Sequence, residues 1–502
     1  MRAKPWALGA AAALLFAADA GAQTVVDPKL EVVPVTTGLS QPVQMEFIND
    51  RGDFFVLEKP TGRVKLVRKG AEPQVVLDLT VNSNSERGLL GIALDKHFRH
   101  NGFVYLYWSE TTEAADNAIG DAVPLMGNRL DQFKWDGSTL TYVKTLHRSR
   151  ALQDDLTNRN PATPDTPVFR GNHNGGVVRV GPDGKVYLQV GDTGRRGQLQ
   201  NLFDGPFGEG VPDDQFGGPD ITNSHLTSVI LRLNTDGSAP KDNPFYKLGA
   251  ERGGQVGANL KKIYAYGLRN GFGMRFDPFS GDLWEQENGD DSFSEINRTF
   301  PGFNSGWTQV MGPLDRVAQF KAIETTRTPV PPDPNAPNGY YGLQQTRWDP
   351  INLADTPREA EKRLFKLKGS KFSDPEMAWK YEVAPGGIEF ISSKKGLGKD
   401  YRGDLFVGSA RGALLGGNLF RLPIKSNRKE IDPKDKRLRD KVADNAFKYD
   451  VTESESLVFG QDFGVTPDIR ESPDGSLYVV SAGGAGQPTG VVYEIRRKSG
   501  KK

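Results

Sequence analysis

One of the five histidines in this 502-residue chain lies where an imidazole could do chemistry. His173 sits in Arg170-Gly171-Asn172-His173-Asn174-Gly175-Gly176, just ahead of an apolar stretch that runs to Gly191-Asp192. Glycines let the backbone take unusual angles and let other groups come close. An imidazole held there can take a proton near neutral pH. A turn histidine bonded to its own backbone is the competing reading.

Three further segments carry chemistry-bearing side chains. Glu86-Arg87-Gly88-Leu89-Leu90-Gly91 places a Glu and an Arg at the mouth of an apolar strand; a weak surface ion pair would leave the same trace. Tyr266-Gly267-Leu268-Arg269-Asn270-Gly271 offers a planar guanidinium and an amide between glycines. That pair suits a carboxylate, phosphate or carbonyl ligand, or a turn that satisfies its own carbonyls. Glu287-Asn288-Gly289-Asp290-Asp291 through Glu295-Ile296-Asn297 is rich in hard oxygens, the donors Ca²⁺ takes, without the spacing of an EF-hand. A plain acidic turn is the alternative.

The elements that must position these residues are visible as a repeat. Gly, any residue, an aliphatic or Phe, then an aromatic recurs at Gly52, Gly102, Gly184, Gly281, Gly403 and Gly475. A turn with Gly at its tight position, followed by a buried strand, explains the pattern. Two more hits, at Gly417 and Gly490, fall shortly after a primary one and read as the next strand of the same unit. Six units predict an all-β, six-bladed β-propeller rather than an irregular sandwich. Blades of about 40–45 residues use only about half of the chain. Long inserted loops are therefore expected near 110–166, 199–242, 311–380 and 425–449, the last a charge-rich, solvated stretch.

The N-terminus reads as a secretory signal over 1–22. Arg2 and Lys4 precede an apolar run that is too short to span a bilayer, and Ala20-Gly21-Ala22 ends it. Residues 23–502 then form one exported domain, periplasmic or secreted, with no membrane span. Lys and Arg total 64 against 63 Asp and Glu, which argues against a nucleic-acid partner. With no cysteine, thiolate metal sites and cysteine nucleophiles are excluded.

Taken in order from about Thr37 to Arg497, the segments around Glu86, His173, Arg269, Glu287–Asn297 and Asn304-Ser305-Gly306-Trp307 resemble the soluble quinoprotein glucose/sorbosone dehydrogenases. These are PQQ-dependent aldose sugar dehydrogenases. The resemblance implies pyrroloquinoline quinone (PQQ), Ca²⁺ and oxidation of the anomeric carbon of an aldose to a lactone. It makes His173 the general base, with Asn172 and Asp192 beside the sugar. It places Glu86, Arg269, Asn270, Asn288 and Arg411 against the cofactor. Gly289 and Asp290 would bind a cofactor-side Ca²⁺ and Glu295 a second, structural one. Val465 and Pro467 stand where the family often has two cofactor-binding arginines, with Arg470 nearby in a different register, and Ser305 replaces a common aromatic.

Two other functions suit the same scaffold: a quinone-free carbohydrate-binding propeller, and a Ca²⁺-dependent lactonase or hydrolase in which His173 activates water. A base beside an Arg-Asn pair favours the dehydrogenase, and loss of the two arginines favours the binding module. No Cys-x-x-Cys-His haem motif is present, so electrons would leave to a separate acceptor.

Overall fold

In the computed structural model, every glycine of the recurring turn adopts a positive φ. The values are 89°, 68°, 74°, 79°, 97° and 87° at Gly52, Gly102, Gly184, Gly281, Gly403 and Gly475. This backbone region is costly for a residue with a Cβ, which is why the position is glycine. A strand begins one or two residues later each time: Phe54–Glu58, Phe103–Ser109, Val186–Val190, Leu283–Glu287, Leu405–Ser409 and Leu477–Ser481. The structure describes residues 23–124, 126–152, 159–160, 163–167, 171–194, 226–325, 350–410, 416–483 and 487–498. The expected signal, Arg411 and much of the expected insertions (153–158, 199–225, 326–349) lie outside the described residues.

Each of those six strands is the second of a sheet of four or more strands. The first sheet pairs Pro42–Phe47, Phe54–Glu58, Arg63–Val67 and Gln74–Asp78 as an antiparallel meander. Those that follow begin at Leu89–Leu94, Val177–Val180, Met274–Phe276 and Pro385–Phe390. The last is closed across the termini, because Leu30–Leu39 pairs with Gly490–Arg497 outside Leu477–Ser481 and Asp468–Glu471. First strands pack side by side in chain order, and Asp468–Glu471 returns to Pro42–Phe47. The result is an all-β, propeller-like fold. Apolar clusters fill the gaps between neighbouring sheets, as where Tyr105, Tyr107 and Leu130 meet Val178, Leu188 and Leu231.

The first strands carry buried charges where they converge. Arg470 pairs with Asp468 at 2.8 Å and Glu46 at 2.9 Å, and Arg275 with Glu389 at 2.7 Å. Arg179 donates to the Met274 carbonyl at 2.8 Å and lies 3.6 Å from Asp468. Charges taken out of water must find partners, and three arginines against three acids achieve this. Arg470 is thereby committed to this ion-pair network.

Three expected insertions hold strands instead of loop. Asn128–Trp135 and Leu140–Ser149 complete the second sheet, Val229–Leu233 is the third strand of the next, and Met377–Tyr381 the fourth of the one after. Asn128–Trp135 was hidden because some of its buried residues are polar. Asn128 accepts from the Ser109 hydroxyl at 2.6 Å, and Asp131 from the Trp108 indole at 3.0 Å. Helices Val317–Thr325 and Pro357–Arg363 lie in the third insertion. The stretch 425–449 also differs from a solvated loop: Leu438, Val442, Ala443, Asn445 and Lys448 are all buried.

Candidate active site

His173 stands at φ +54°, followed by Gly175 at +62° and Gly176 at +107°, in the turn that opens strand Val177–Val180. The turn lies directly on the preceding sheet. A Cβ on Gly91 would come within 1.9 Å of the Gly176 carbonyl oxygen, so the glycine of the Glu86–Gly91 motif is what permits the approach. Glu86 Oε2 accepts from the His173 backbone N–H at 2.8 Å and from Asn270 Nδ2 at 3.2 Å. One carboxylate thus ties three of the sequence motifs together.

The imidazole is oriented from behind. His173 Nδ1 lies 2.6 Å from Asp192 Oδ1. Asp192 Oδ1 also accepts from the Gly194 N–H, and Oδ2 accepts from the Trp307 indole N–H at 2.9 Å. Burial pushes the Asp192 carboxyl up, but His173, Arg269 and the Gly194 N–H outweigh it and hold the group below its usual range. An ionised Asp192 keeps the proton of His173 on Nδ1, which leaves the lone pair of Nε2 as the basic site. The His173 side chain is 9% exposed and Asp192 only 1%. Asp192, expected beside the sugar, is held against the His173 ring. Asn172 is half-buried and its amide lies over Gly194, where a Cβ would come within 1.9 Å of its oxygen.

Arg269 points into the protein. Its Nη1 donates to the carbonyls of Asn288 (2.9 Å) and Gly289 (2.8 Å), and its Nη2 to Asp290 Oδ1 (2.9 Å). Its guanidinium lies 5.4 Å from the centre of the Trp307 ring. Its own N–H donates to Glu287 Oε2 at 2.6 Å, and Asn288 donates from backbone and side chain to the Asn270 carbonyl. Trp307 was expected only as part of a turn, yet it braces both Asp192 and Arg269. Lys59 was also missed in the sequence: its ammonium holds the Ser85 and Ser83 carbonyls at 2.8 and 3.2 Å, beneath Glu86. Burial lowers Lys59 to about 8, with the Glu86 carboxylate opposing the shift.

Toward a quinone the site fits. Arg269 Nε and Asn270 Oδ1 are buried without a hydrogen-bond partner among the described residues, beside the carboxylate that links Asn270 to His173. Toward Ca²⁺ it does not fit. Of the two residues expected to bind a cofactor-side ion, Gly289 gives its carbonyl to Arg269, and Asp290 gives its carbonyl to Lys448 and a carboxylate oxygen to Arg269. Glu295, expected at a second ion, accepts from the Gly312 N–H and from Asn297 Nδ2. Among the described residues no group of three acidic or histidine side chains is arranged to hold a metal.

Glu295 instead faces Glu287 across paired strands, with Glu285 one step along the same face. Burial pushes Glu285 up to about 8 and Glu295 to about 7, and Glu287 well above the usual range. A carboxyl raised on folding contributes stability at low pH and loses it as pH rises from the unfolded value through the folded one. Glu285→Gln is therefore expected to match the parent near pH 4.5 and to exceed it by a few kcal/mol above pH 8, at ~1.4 kcal/mol per pKa unit. Denaturant midpoints across that pH range check this, and a difference that does not change with pH would contradict it.

The glucose/sorbosone dehydrogenase family profile matches residues 39–330. An uncharacterized protein of Synechocystis is 24% identical over 92% of this chain and 86% of its own length. The quinoprotein glucose dehydrogenase B of Acinetobacter calcoaceticus is 30% identical over 52% of this chain and 49% of its own. The PQQ-bound aldose sugar dehydrogenase of Streptomyces coelicolor superposes with a TM-score of 0.54 at 20% identity, covering 94% of this chain and 99% of that one, which supports the shared fold. With the profile spanning more than half of its length, the chain belongs to the glucose/sorbosone dehydrogenase family.

Proposed function

We propose that this protein is an exported, PQQ-dependent aldose dehydrogenase that converts the anomeric C–OH of a sugar to the lactone, with the six sheets acting as six blades around the site. The observation that carries the reading is the His173–Asp192 pair, whose 2.6 Å contact leaves Nε2 as the basic nitrogen. Nε2 takes the proton of the anomeric hydroxyl as the C–H bond breaks and the lactone C=O forms. Bound PQQ would accept the two electrons with the hydride, and a separate carrier would then remove them. Asn270 and Arg269 would hold its reacting edge, through Asn270 Oδ1 and Arg269 Nε. Glu86 fixes His173 and Asn270 relative to each other, so the base and the cofactor edge keep one geometry. Asn172, whose amide lies over Gly194, would meet the sugar. No helix among the described residues is long and apolar enough to cross a membrane.

One observation favours a second reading. Val465 and Pro467 offer no charge to the three PQQ carboxylates, and Arg470 is committed to Asp468 and Glu46. A binding module without quinone would need no such partners. The test is to add PQQ to purified protein and follow quinone binding by fluorescence and dye reduction with a panel of aldoses. Saturable binding with aldose-dependent reduction is expected. Aldose binding without either signal would replace the dehydrogenase with the binding module.

A further inference from the structure

The loop 288–291 is held by two cations that come from distant parts of the chain. Arg269 takes the Asn288 and Gly289 carbonyls and one Asp290 carboxylate oxygen. Lys448 Nζ donates to the Asp290 carbonyl at 3.2 Å and pairs with the Asp291 carboxylate, with Glu382 Oε2 at 3.6 Å. All three of these side chains are buried or nearly so: Lys448 is 2% exposed, Asp291 0% and Glu382 14%. Glu324 completes the support, with its Oε1 accepting from the Asp291 and Ser292 N–H groups and the Ser292 hydroxyl.

Lys448 is not a loose surface lysine that happens to reach inward. The segment that carries it is clamped to the end of strand Met377–Tyr381. Asn445 exchanges hydrogen bonds with both the N–H and the carbonyl of Tyr381, and the Tyr449 N–H donates to the Glu382 carbonyl. Val442 and Ala443 extend the same sheet beside Ala378 and Trp379. The position of the ammonium is therefore set by backbone pairing.

We propose that Arg269 and Lys448 together replace a divalent metal ion at this loop, so that the 288–291 oxygens are organised by the protein's own cations and take up no Ca²⁺. A Ca²⁺ ion needs six to eight oxygens at 2.3–2.6 Å. Here the carbonyls of residues 288–290 and the Asp290 carboxylate are donated to by side-chain N–H groups. An incoming ion would have to displace two hydrogen-bonded cations and would sit within a few ångströms of both positive charges. The repulsion is large where water is excluded. Arg269 pairs with Asp290 and Lys448 with Asp291, and a fixed ammonium and guanidinium need no metal supply or proton release to form. The inference concerns the loop alone and does not depend on whether a quinone binds.

The test is Ca²⁺ stoichiometry at equilibrium, measured by calorimetric titration on the full chain with chelator-treated protein. The parent and Asp291→Asn are expected to bind the same number of Ca²⁺ ions, and chelator is expected to leave the unfolding temperature of the parent unchanged through this loop. Lys448→Met, which opens the Asp290 carbonyl, Asp291 and Glu382 to a new partner, is expected to gain one Ca²⁺ and to recover stability on adding it. A parent that binds one more Ca²⁺ than Asp291→Asn, and loses stability to chelator where that variant does not, would overturn the proposal. If Lys448→Met does not fold, the comparison of the parent with Asp291→Asn still decides the matter.

Discussion

His173→Ala is expected to lower turnover with an aldose by roughly 10²–10⁴-fold, the usual contribution of a positioned general base, while quinone affinity stays near that of the parent. The two readouts separate because the imidazole and the groups that would hold a cofactor are distinct. Asn270 and Arg269 keep their partners in the 287–290 segment when the ring is removed. The backbone N–H of residue 173 still donates to Glu86, so the link between the two halves of the site survives. Loss is expected in kcat, since the base acts in the transition state and contributes little to holding the sugar. Steady-state dye reduction and a fluorescence titration of quinone check the prediction. Turnover equal to the parent would remove His173 as the base, and loss of quinone binding together with turnover would recast it as a structural residue.

Lys448→Met is expected to destabilise the protein by about 3–5 kcal/mol, the cost of leaving one member of a buried ion pair without its partner. Asp291 is fully buried and Glu382 nearly so, and burial already pushes Glu382 up although Lys448 opposes the shift. Without the ammonium, two acids share a dry pocket, with Arg269 still acting on Glu382. The Asp290 carbonyl loses its donor as well. Denaturant-induced unfolding in chelator measures the effect, and adding Asp291→Asn to Lys448→Met is expected to restore much of the loss by neutralising the orphaned charge. A cost below about 1 kcal/mol, the range of exposed pairs, would show that the lysine is not what holds the loop.

Lys448 also shows where sequence reading stops. It lies in a run of charged residues whose composition predicts a solvated loop, and most such runs are solvated. What makes it different is a partner 158 residues away, Asp290, that only the pairing of Val442–Ala443 with Met377–Tyr381 brings within reach. Trp307 and Asp192 are a similar case. Each was visible in its own turn, but their hydrogen bond spans 115 residues and fixes the carboxylate that meets the His173 ring. The strand Asn128–Trp135 was hidden for another reason. Two of its buried side chains, Asn128 and Asp131, are polar and bonded to Ser109 and Trp108 on the neighbouring strand, so it lacks the apolar alternation that marks a strand locally.

The recurring turn was legible because its cause is local. A positive φ at the tight position admits glycine and little else, and the strand that follows needs an aromatic to fill the space between sheets. The His173 turn was legible on the same grounds, with positive φ at three of four consecutive positions and glycine at two of them. By itself the sequence determined the β-strand repeat, the glycine-cradled His173 and the Arg269-Asn270 pair, all set by short-range backbone constraints. The tertiary structure alone decided what each charge faces: Arg269 turned inward to carbonyls, Arg470 drawn to Asp468 and Glu46, and Lys448 buried on Asp291. Electrostatic partners are chosen by distance in space and by the exclusion of water, and neither is written into residue spacing along the chain.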